Sequence, residues 1–120
     1  MVVRRFLLVI GLLMGGIAIS LILMRFLITR SIACAPDCVG VNLQARDLHD
    51  IVLQKAQMIE AQLQSSDLSG ANLREVDLSG ANLTGTNLRN ADLTDARLIG
   101  ADLSLARLEG SILAGADLSG

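Results

Sequence analysis

The chain is poor in aromatic residues. Its 120 residues include no tryptophan or tyrosine, and the only two aromatic side chains, Phe6 and Phe26, lie near the N-terminus. Soluble domains of this size normally rely on aromatic side chains in their cores and ligand sites. Their absence from the rest of the chain argues against an ordinary globular core, an aromatic ligand pocket and a base-stacking nucleic-acid surface.

Charge is unevenly distributed along the chain. The formal net charge is −2, but residues 1–40 carry +3 and residues 41–120 carry −5. Such an asymmetry indicates segments with different environments. Together with the motifs below, it predicts three segments: residues 1–30, a linker of residues 31–40 that holds a cysteine pair and an opening pentad, and the repeat of residues 41–120.

An uncharged apolar run of 19 residues occupies positions 6–24. At ~1.5 Å per residue, a helix of this length would span ~28 Å, close to the hydrocarbon thickness of a bilayer. We therefore expect residues 1–30 to form one transmembrane anchor, with residues 6–28 in the membrane. The positive-inside rule slightly favours a single-pass protein whose C-terminal part is not cytoplasmic. A cleaved signal peptide, giving a secreted or lumenal protein, is the alternative.

Two short motifs accompany this region. Gly11 and Gly15 have the small-xxx-small spacing that lets two membrane helices pack closely, which suggests a homodimer. Cys34 and Cys38 stand four residues apart and could close a disulfide, although two reduced thiols are the alternative. Two cysteines and one histidine make a poor zinc site.

A five-residue repeat dominates residues 41–120. Leucine recurs every fifth position from Leu43 to Leu118, with Met58 as the one exception. A small or β-branched residue usually precedes each leucine by two positions, and Asp or Asn often stands between them. The segment 36–40 continues the same phase and reads as an opening pentad with Cys38 in the leucine position.

A period of five fits neither a helix nor a flat strand. Five helical residues advance ~500°, so the leucines would scatter around the axis, and an odd step along a strand alternates faces. A chain that bends by about 90° after each pentad would bring every leucine inward. Four pentads would then close one square coil, and successive coils would stack through backbone hydrogen bonds.

The pentads SDLSG, VDLSG, ADLSG and ANLTG resemble the pentapeptide-repeat family. The resemblance implies an all-β solenoid, a right-handed quadrilateral β-helix of about four coils. Residues 44–64 depart most from the pattern and could form an amphipathic helix instead, but the unbroken pentad phase favours coils. Some members of the family mimic duplex DNA and bind DNA gyrase, which is an alternative function for this chain.

Residues with catalytic potential are almost absent. His49 is the only histidine and is predicted to point outward, the carboxylates recur as repeat residues, and no nucleotide-binding or zinc-protease motif is present. We therefore expect no enzymatic activity, no catalytic residue, no cofactor, no metal site and no nucleic-acid partner.

Outward positions are the candidate binding residues. Residues twenty apart should stack in neighbouring coils, which places Val39, Ile59 and Ile99 in one apolar column. This column is a candidate site for an unknown protein partner. The last coil, with Leu113 and Leu118, could pair with a second copy through its open β edge. The preferred function is a membrane-tethered structural or protein-interaction module.

Overall fold

Each pentad forms one side of a four-sided coil. The structure is a computed structural model that describes residues 32–120. Within that range there is no helix and no strand longer than one residue; each side is a single parallel bridge to the residue twenty positions later. The bridges begin with Asp37 and Gln57 and end with Arg97 and Asp117. Because every bridge spans twenty residues, four pentads make one turn of the solenoid.

Three backbone hydrogen bonds join each pentad to the next coil. In the pentad around Leu68, the Leu68 amide donates to the Asn87 carbonyl at 2.8 Å and the Gly70 amide to the Arg89 carbonyl at 2.8 Å. The Asn87 amide donates back to the Ser66 carbonyl at 3.0 Å. This repeated pattern joins the internal coils without a long strand, and corner amides such as that of Ser69 donate instead to a side chain, here the Asp67 carboxylate.

The corner of each coil is a tight turn that needs a positive φ angle. The Ala71 amide donates to the Leu68 carbonyl at 3.1 Å, and Gly70 in the third turn position has a φ of 68°. Nine non-glycine residues in the described part adopt the same conformation, among them Asp50 and Leu105. Glycine is therefore favoured at the corner but not required, because the inter-coil hydrogen bonds hold other residues there despite the steric cost.

Glycine has a second role at some corners. A methyl group on Gly70 would overlap the carboxylate of Asp50, the residue one coil earlier, whereas a methyl group on Gly100 would meet nothing within 4 Å. The Asp50 side chain thus folds across the corner of the next coil. Replacement of these two glycines tests different physical effects.

The inward leucines form one continuous core. Leu63, Leu83 and Leu88 are fully buried, and each such side chain contributes about 1.5–3 kcal/mol relative to an exposed one. Between Ile51 and Ala96, the residue two positions before each inward side chain is also buried, and its hydroxyl, where present, has a partner. Ser66 and Thr86 both donate to the Leu63 carbonyl, at 2.7 and 2.8 Å.

Residues 44–64 continue the solenoid and do not form the alternative helix. Asp47, Val52, Gln57 and Gln62 are all bridged to residues twenty positions later. The inward positions of this segment, including Met58, are buried in the same core as the regular repeats. The uninterrupted pentad phase is therefore a better guide to the fold here than helix propensity.

The prediction of a single-pass membrane location is corrected. Among residues 32–120, no helix is long and apolar enough to cross a membrane. The physical reason is that the chain turns at every fifth residue, so the repeat cannot supply the ~20 consecutive helical residues that a span needs. The expected transmembrane segment 6–28, the rest of the anchor 1–30 and the Gly11/Gly15 pair lie outside the described residues.

Candidate functional site: a partner-binding corner of the solenoid

The predicted apolar column lies along one corner of the solenoid. The Gly40 amide donates to the Ile59 carbonyl at 2.8 Å, and the Gly80 amide donates to the Ile99 carbonyl at 2.9 Å, so the corner residues stack coil upon coil. Val39 is 57% exposed, whereas Ile59 and Ile99 are half-buried. The structure thus brings all three residues into one column, which we call the apolar corner.

Ser79 interrupts the apolar corner between the two isoleucines. Its hydroxyl donates to the Asp77 carboxylate at 2.6 Å, and its backbone amide donates to the same oxygen at 3.0 Å. Serine and isoleucine therefore occupy equivalent positions on the same backbone. This natural exchange shows that the corner accepts either residue without a change in the fold.

Small residues keep the apolar corner accessible on one side. The next column along the chain is mostly glycine: Gly40 follows Val39, Gly80 follows Ser79 and Gly100 follows Ile99. Glu60 is the charged exception in that column. Because glycine has no side chain, a partner could approach Ile99 and Ser79 closely over this column.

The face that follows the apolar corner carries almost no charge. Its two outward columns consist of polar residues, of which Asp102 alone is ionised, and we call them the neutral face: Asn42, Gln62, Asn82, Asp102, Gln44, Gln64, Thr84 and Ser104. The Gln64 side-chain amide donates to the Gln62 side-chain oxygen at 2.9 Å. Within the described residues, the Gln64 side-chain oxygen is buried without a hydrogen-bond partner.

Ion pairs are concentrated outside the neutral face. Arg89 makes two hydrogen bonds to Glu109, at 2.9 and 2.8 Å, directly across neighbouring coils. Hydrogen bonds from Arg89 lower the pKa of Glu109 to about 2. Three further pairs join cations to carboxylates: Arg74 with Asp92 at 3.2 Å, Lys55 with Glu75 at 3.5 Å and Arg97 with Asp77 at 3.7 Å.

Aspartates next to the leucines serve the turns. The Asp67 carboxylate accepts hydrogen bonds from the Ser69 hydroxyl at 2.6 Å and from the Ser69 amide at 2.9 Å, and these bonds lower its pKa. Burial works to raise the pKa of Asp77, but the two bonds from Ser79 and the positive charge of Arg97 together lower it. These carboxylates are held as acceptors in local turns, which is the role that short polar side chains typically have there.

Other residues considered for chemistry do not assemble into a site. His49 is exposed and lies against the Asp47 carboxylate. Within residues 32–120, no three His, Cys, Asp or Glu side chains are arranged to hold a metal ion. Cys34 and Cys38 are joined by a disulfide, with their Cα atoms 5.1 Å apart.

The last coil has the least buried core residues. Leu113 is half-buried and Leu118 is 48% exposed, so both are placed where a second chain could contact them. End pairing through these residues stays a prediction. Sequence reasoning did not single out Leu105, which is 85% exposed with a φ of 59°. The sequence did contain a signal for this exposure, because Leu105 stands at a corner position that other pentads fill with small or polar residues.

Comparison with known proteins identifies the repeat. A family model described as pentapeptide repeats matches residues 37–74, 71–110 and 101–120, with eight copies. Pentapeptide repeats form right-handed β-helical solenoids, in agreement with the four-sided coils described above. None of the curated proteins compared with the chain matches it.

Several solved structures are similar to part of the chain. HetL of the cyanobacterium Nostoc, a pentapeptide repeat protein involved in the regulation of heterocyst differentiation, is 35% identical over 67% of this chain and 39% of HetL, with a TM-score of 0.48. A pentapeptide repeat protein of the Arabidopsis thaliana thylakoid lumen is 27% identical over 68% of this chain and 63% of its own, with a TM-score of 0.48. QnrB1, a plasmid-mediated fluoroquinolone resistance protein, is 26% identical over 62% of this chain and 39% of QnrB1, with a TM-score of 0.35. The chain thus spans less than two thirds of each of these proteins.

Proposed function

We propose that this chain, which belongs to the pentapeptide repeat family, is a non-enzymatic interaction module that binds a protein partner through the apolar corner and the neutral face. Proteins of this family are generally structural or interaction proteins. The proposal goes further by assigning the surface and the residues that would make the contact.

The observation that carries this proposal is that solvent-accessible apolar side chains, exposed at Val39 and half-buried at Ile59 and Ile99, lie beside a face of low charge. Val39, Ile59 and Ile99 line one corner, and the adjoining neutral face has a single charged residue, Asp102. The centres of protein interfaces are depleted in charged residues and contain apolar anchors. A partner that fits this surface would itself present an uncharged surface with an apolar recess for the isoleucines.

The rest of the solenoid supports this choice of face. Lys55, Arg74, Arg89 and Arg97 each pair with a carboxylate on the remaining faces, where the ion pairs hold neighbouring coils together. Exposed pairs of this kind contribute little binding energy and mainly affect association rates. Specific contacts are therefore better supplied by the apolar corner.

The DNA-mimic alternative has weaker support. A mimic of duplex DNA needs unpaired negative charges at regular intervals, but the column through Asp77 reads Asp37, Gln57, Asp77, Arg97 and Asp117. Arg97 sits between two of the aspartates and lies 3.7 Å from Asp77. Binding of purified gyrase to the full chain would support this alternative over the apolar corner.

The proposal is tested by site-specific crosslinking. A photo-crosslinking residue at Val39 in the full chain should capture a protein in the cells that make it, whereas the same residue at the exposed Gln54, one corner away, should not. Ile59→Ser and Ile99→Ser should each weaken capture by about tenfold, the usual effect of losing one apolar anchor. These two changes should leave the fold intact because Ser79 already occupies the equivalent position.

The reverse substitution gives a second readout. Ser79→Ile would make the apolar corner continuous and should strengthen capture from Val39. Gln54→Ser is the matched control and should change nothing. Equal capture from Val39 and Gln54, or capture that the isoleucine variants do not reduce, would rule out the apolar corner as the binding surface.

A further inference from the structure

The first pentad of the solenoid has a cysteine in the core position. Cys38 is 2% exposed and belongs to the same hydrophobic core as the inward leucines. Its amide donates to the Gln57 carbonyl at 2.7 Å, and the Gln57 amide donates to the Pro36 carbonyl at 2.7 Å. The pentad that carries Cys38 is therefore bound to the second coil in the same way as later pentads are bound to the coil that follows them.

The disulfide folds the preceding segment back over this end of the core. Four residues of extended chain could span about 13 Å, but the Cα atoms of Cys34 and Cys38 are only 5.1 Å apart. The Ala35 amide donates to the Ile32 carbonyl at 3.2 Å, which closes the turn. As a result, Ile32 and Cys34 pack against the core.

The two ends of the core differ in burial. In the first coil, Cys38, Leu48 and Leu53 are between 2% and 7% exposed, and only Leu43 is half-buried. In the last coil, the inward leucines are half-buried, and Leu118 is 48% exposed. The segment that the disulfide holds in place lies at the better covered end.

We propose that the Cys34–Cys38 disulfide is a redox-sensitive cap, whose reduction by a dithiol reductant releases Ile32 and Cys34 and loosens the first coil of the solenoid. The chain would thereby respond to the thiol redox state of its surroundings. The observations behind this inference do not depend on the proposed partner binding, although Val39 of the apolar corner lies in the same first coil.

The accessible sulfur sets the order of the reaction. Cys34 is half-buried and Cys38 is fully buried, so a thiolate of the reductant attacks the Cys34 sulfur. The sulfur–sulfur bond breaks, a mixed disulfide forms at Cys34, and Cys38 leaves as a thiolate that takes up a proton. The second thiolate of the reductant then closes its own disulfide and releases Cys34. Two electrons pass from the dithiol to the protein, which ends with two thiols.

Reduction should affect mainly the first coil, because the Cys34–Cys38 bond holds only the segment that covers this end of the core. Once Cys34 is free, only the short turn at Ala35 holds Ile32 near the core, and the first coil loses part of its cover. The amides of Cys38, Leu43 and Leu48 donate to the second coil, so their protection from exchange reports opening of the first coil. The Leu98 amide, which donates to Asp117, is the internal reference at the other end.

Hydrogen exchange of the full chain, with and without dithiothreitol, tests the cap. Exchange at Cys38, Leu43 and Leu48 should become about 30-fold faster on reduction, the chain-entropy effect of opening a loop of this size. Exchange at Leu98 should not change. After complete reduction, when both thiols are free, an alkylating reagent should modify the more accessible Cys34 before the buried Cys38.

Two variants complete the test. Cys34→Ser should show the fast exchange without reductant and should not respond to dithiothreitol, whereas Ala33→Ser keeps the bond and should behave like the parent chain. Unchanged protection after complete reduction would overturn the proposal. So would an equal rise in exchange at Leu98, which would make the bond a determinant of global stability, or a response of Cys34→Ser to reductant.

Discussion

Substitution of corner glycines by alanine should separate two energetic costs: that of a positive φ angle and that of a steric overlap with the preceding coil. Gly70 and Gly100 have nearly the same φ, 68° and 65°, but a methyl group would overlap the Asp50 carboxylate only at Gly70. Alanine at positive φ costs about 1–2 kcal/mol, and its smaller unfolded-state entropy returns about 0.4–1 kcal/mol. Gly100→Ala should therefore lower the free energy of unfolding by about 0.5–1 kcal/mol.

Gly70→Ala should be worse by a further small amount. The overlapping atom is the terminal oxygen of an exposed side chain, so Asp50 can rotate away at the cost of a less favourable rotamer, about 0.5–1.5 kcal/mol. In an Asp50→Ala background this extra cost should disappear, and Gly70→Ala should match Gly100→Ala. Both effects are measured by urea denaturation of the parent chain, of Gly70→Ala, of Asp50→Ala and of the variant that carries both changes. Gly100→Ala, made in the parent chain and in the Asp50→Ala variant, is the control.

Two outcomes would refute this reasoning. If Gly70→Ala unfolds the protein, Asp50 cannot move, and the corner is a rigid contact rather than a flexible one. If Asp50→Ala leaves the difference between the two glycine variants unchanged, the cost at Gly70 does not come from the Asp50 side chain.

Two further predictions concern the core and the charged columns. Leu88→Ala should lower the free energy of unfolding, measured by urea denaturation, by about 3–5 kcal/mol because Leu88 is fully buried. Leu108→Ala, one coil later and half-buried, should lower it by about half as much. Equal losses would contradict the difference in burial between these two coils. The low pKa of Glu109, about 2 against an ordinary 4.5, means that its stabilising contribution is complete above about pH 4.5 and is lost as the pH falls through about 2. In the Arg89→Ala variant, the urea midpoint should therefore fall less steeply between pH 4.5 and 2 than in the parent chain. An equal fall in the variant and the parent over this range would argue against the Arg89–Glu109 pair.

The fold was predictable because its signal recurs at every coil. Leu43 to Leu118 keep one phase, and a five-residue period allows few structures other than a square coil. The phase also assigned residues 44–64 correctly to the solenoid, although Gln57, Met58 and Glu60 are common in helices. A periodic core constrains the chain more strongly than local propensity does.

The binding surface could be predicted only in part. Twenty-residue spacing placed Val39, Ile59 and Ile99 in one column, but exposure depends on the neighbours in adjacent coils, and only Val39 is largely exposed. Pairs within one column, such as Arg89 with Glu109, follow from the spacing. The pair between Arg74 and Asp92, eighteen residues apart, depends on side-chain conformations that the sequence pattern does not specify.

The constant twenty-residue bridge has a consequence for how such a chain can change in length. An insertion of twenty residues between Gly80 and Ala81 would add one full coil and leave every later residue above its former column. An insertion of five residues at the same point would also preserve the core, because each inserted leucine would still point inward. It would, however, rotate everything that follows by a quarter turn, so that Ile99 would leave the apolar corner and join a different face. Stability and surface pattern are therefore conserved by different units of length, five residues for the first and twenty for the second.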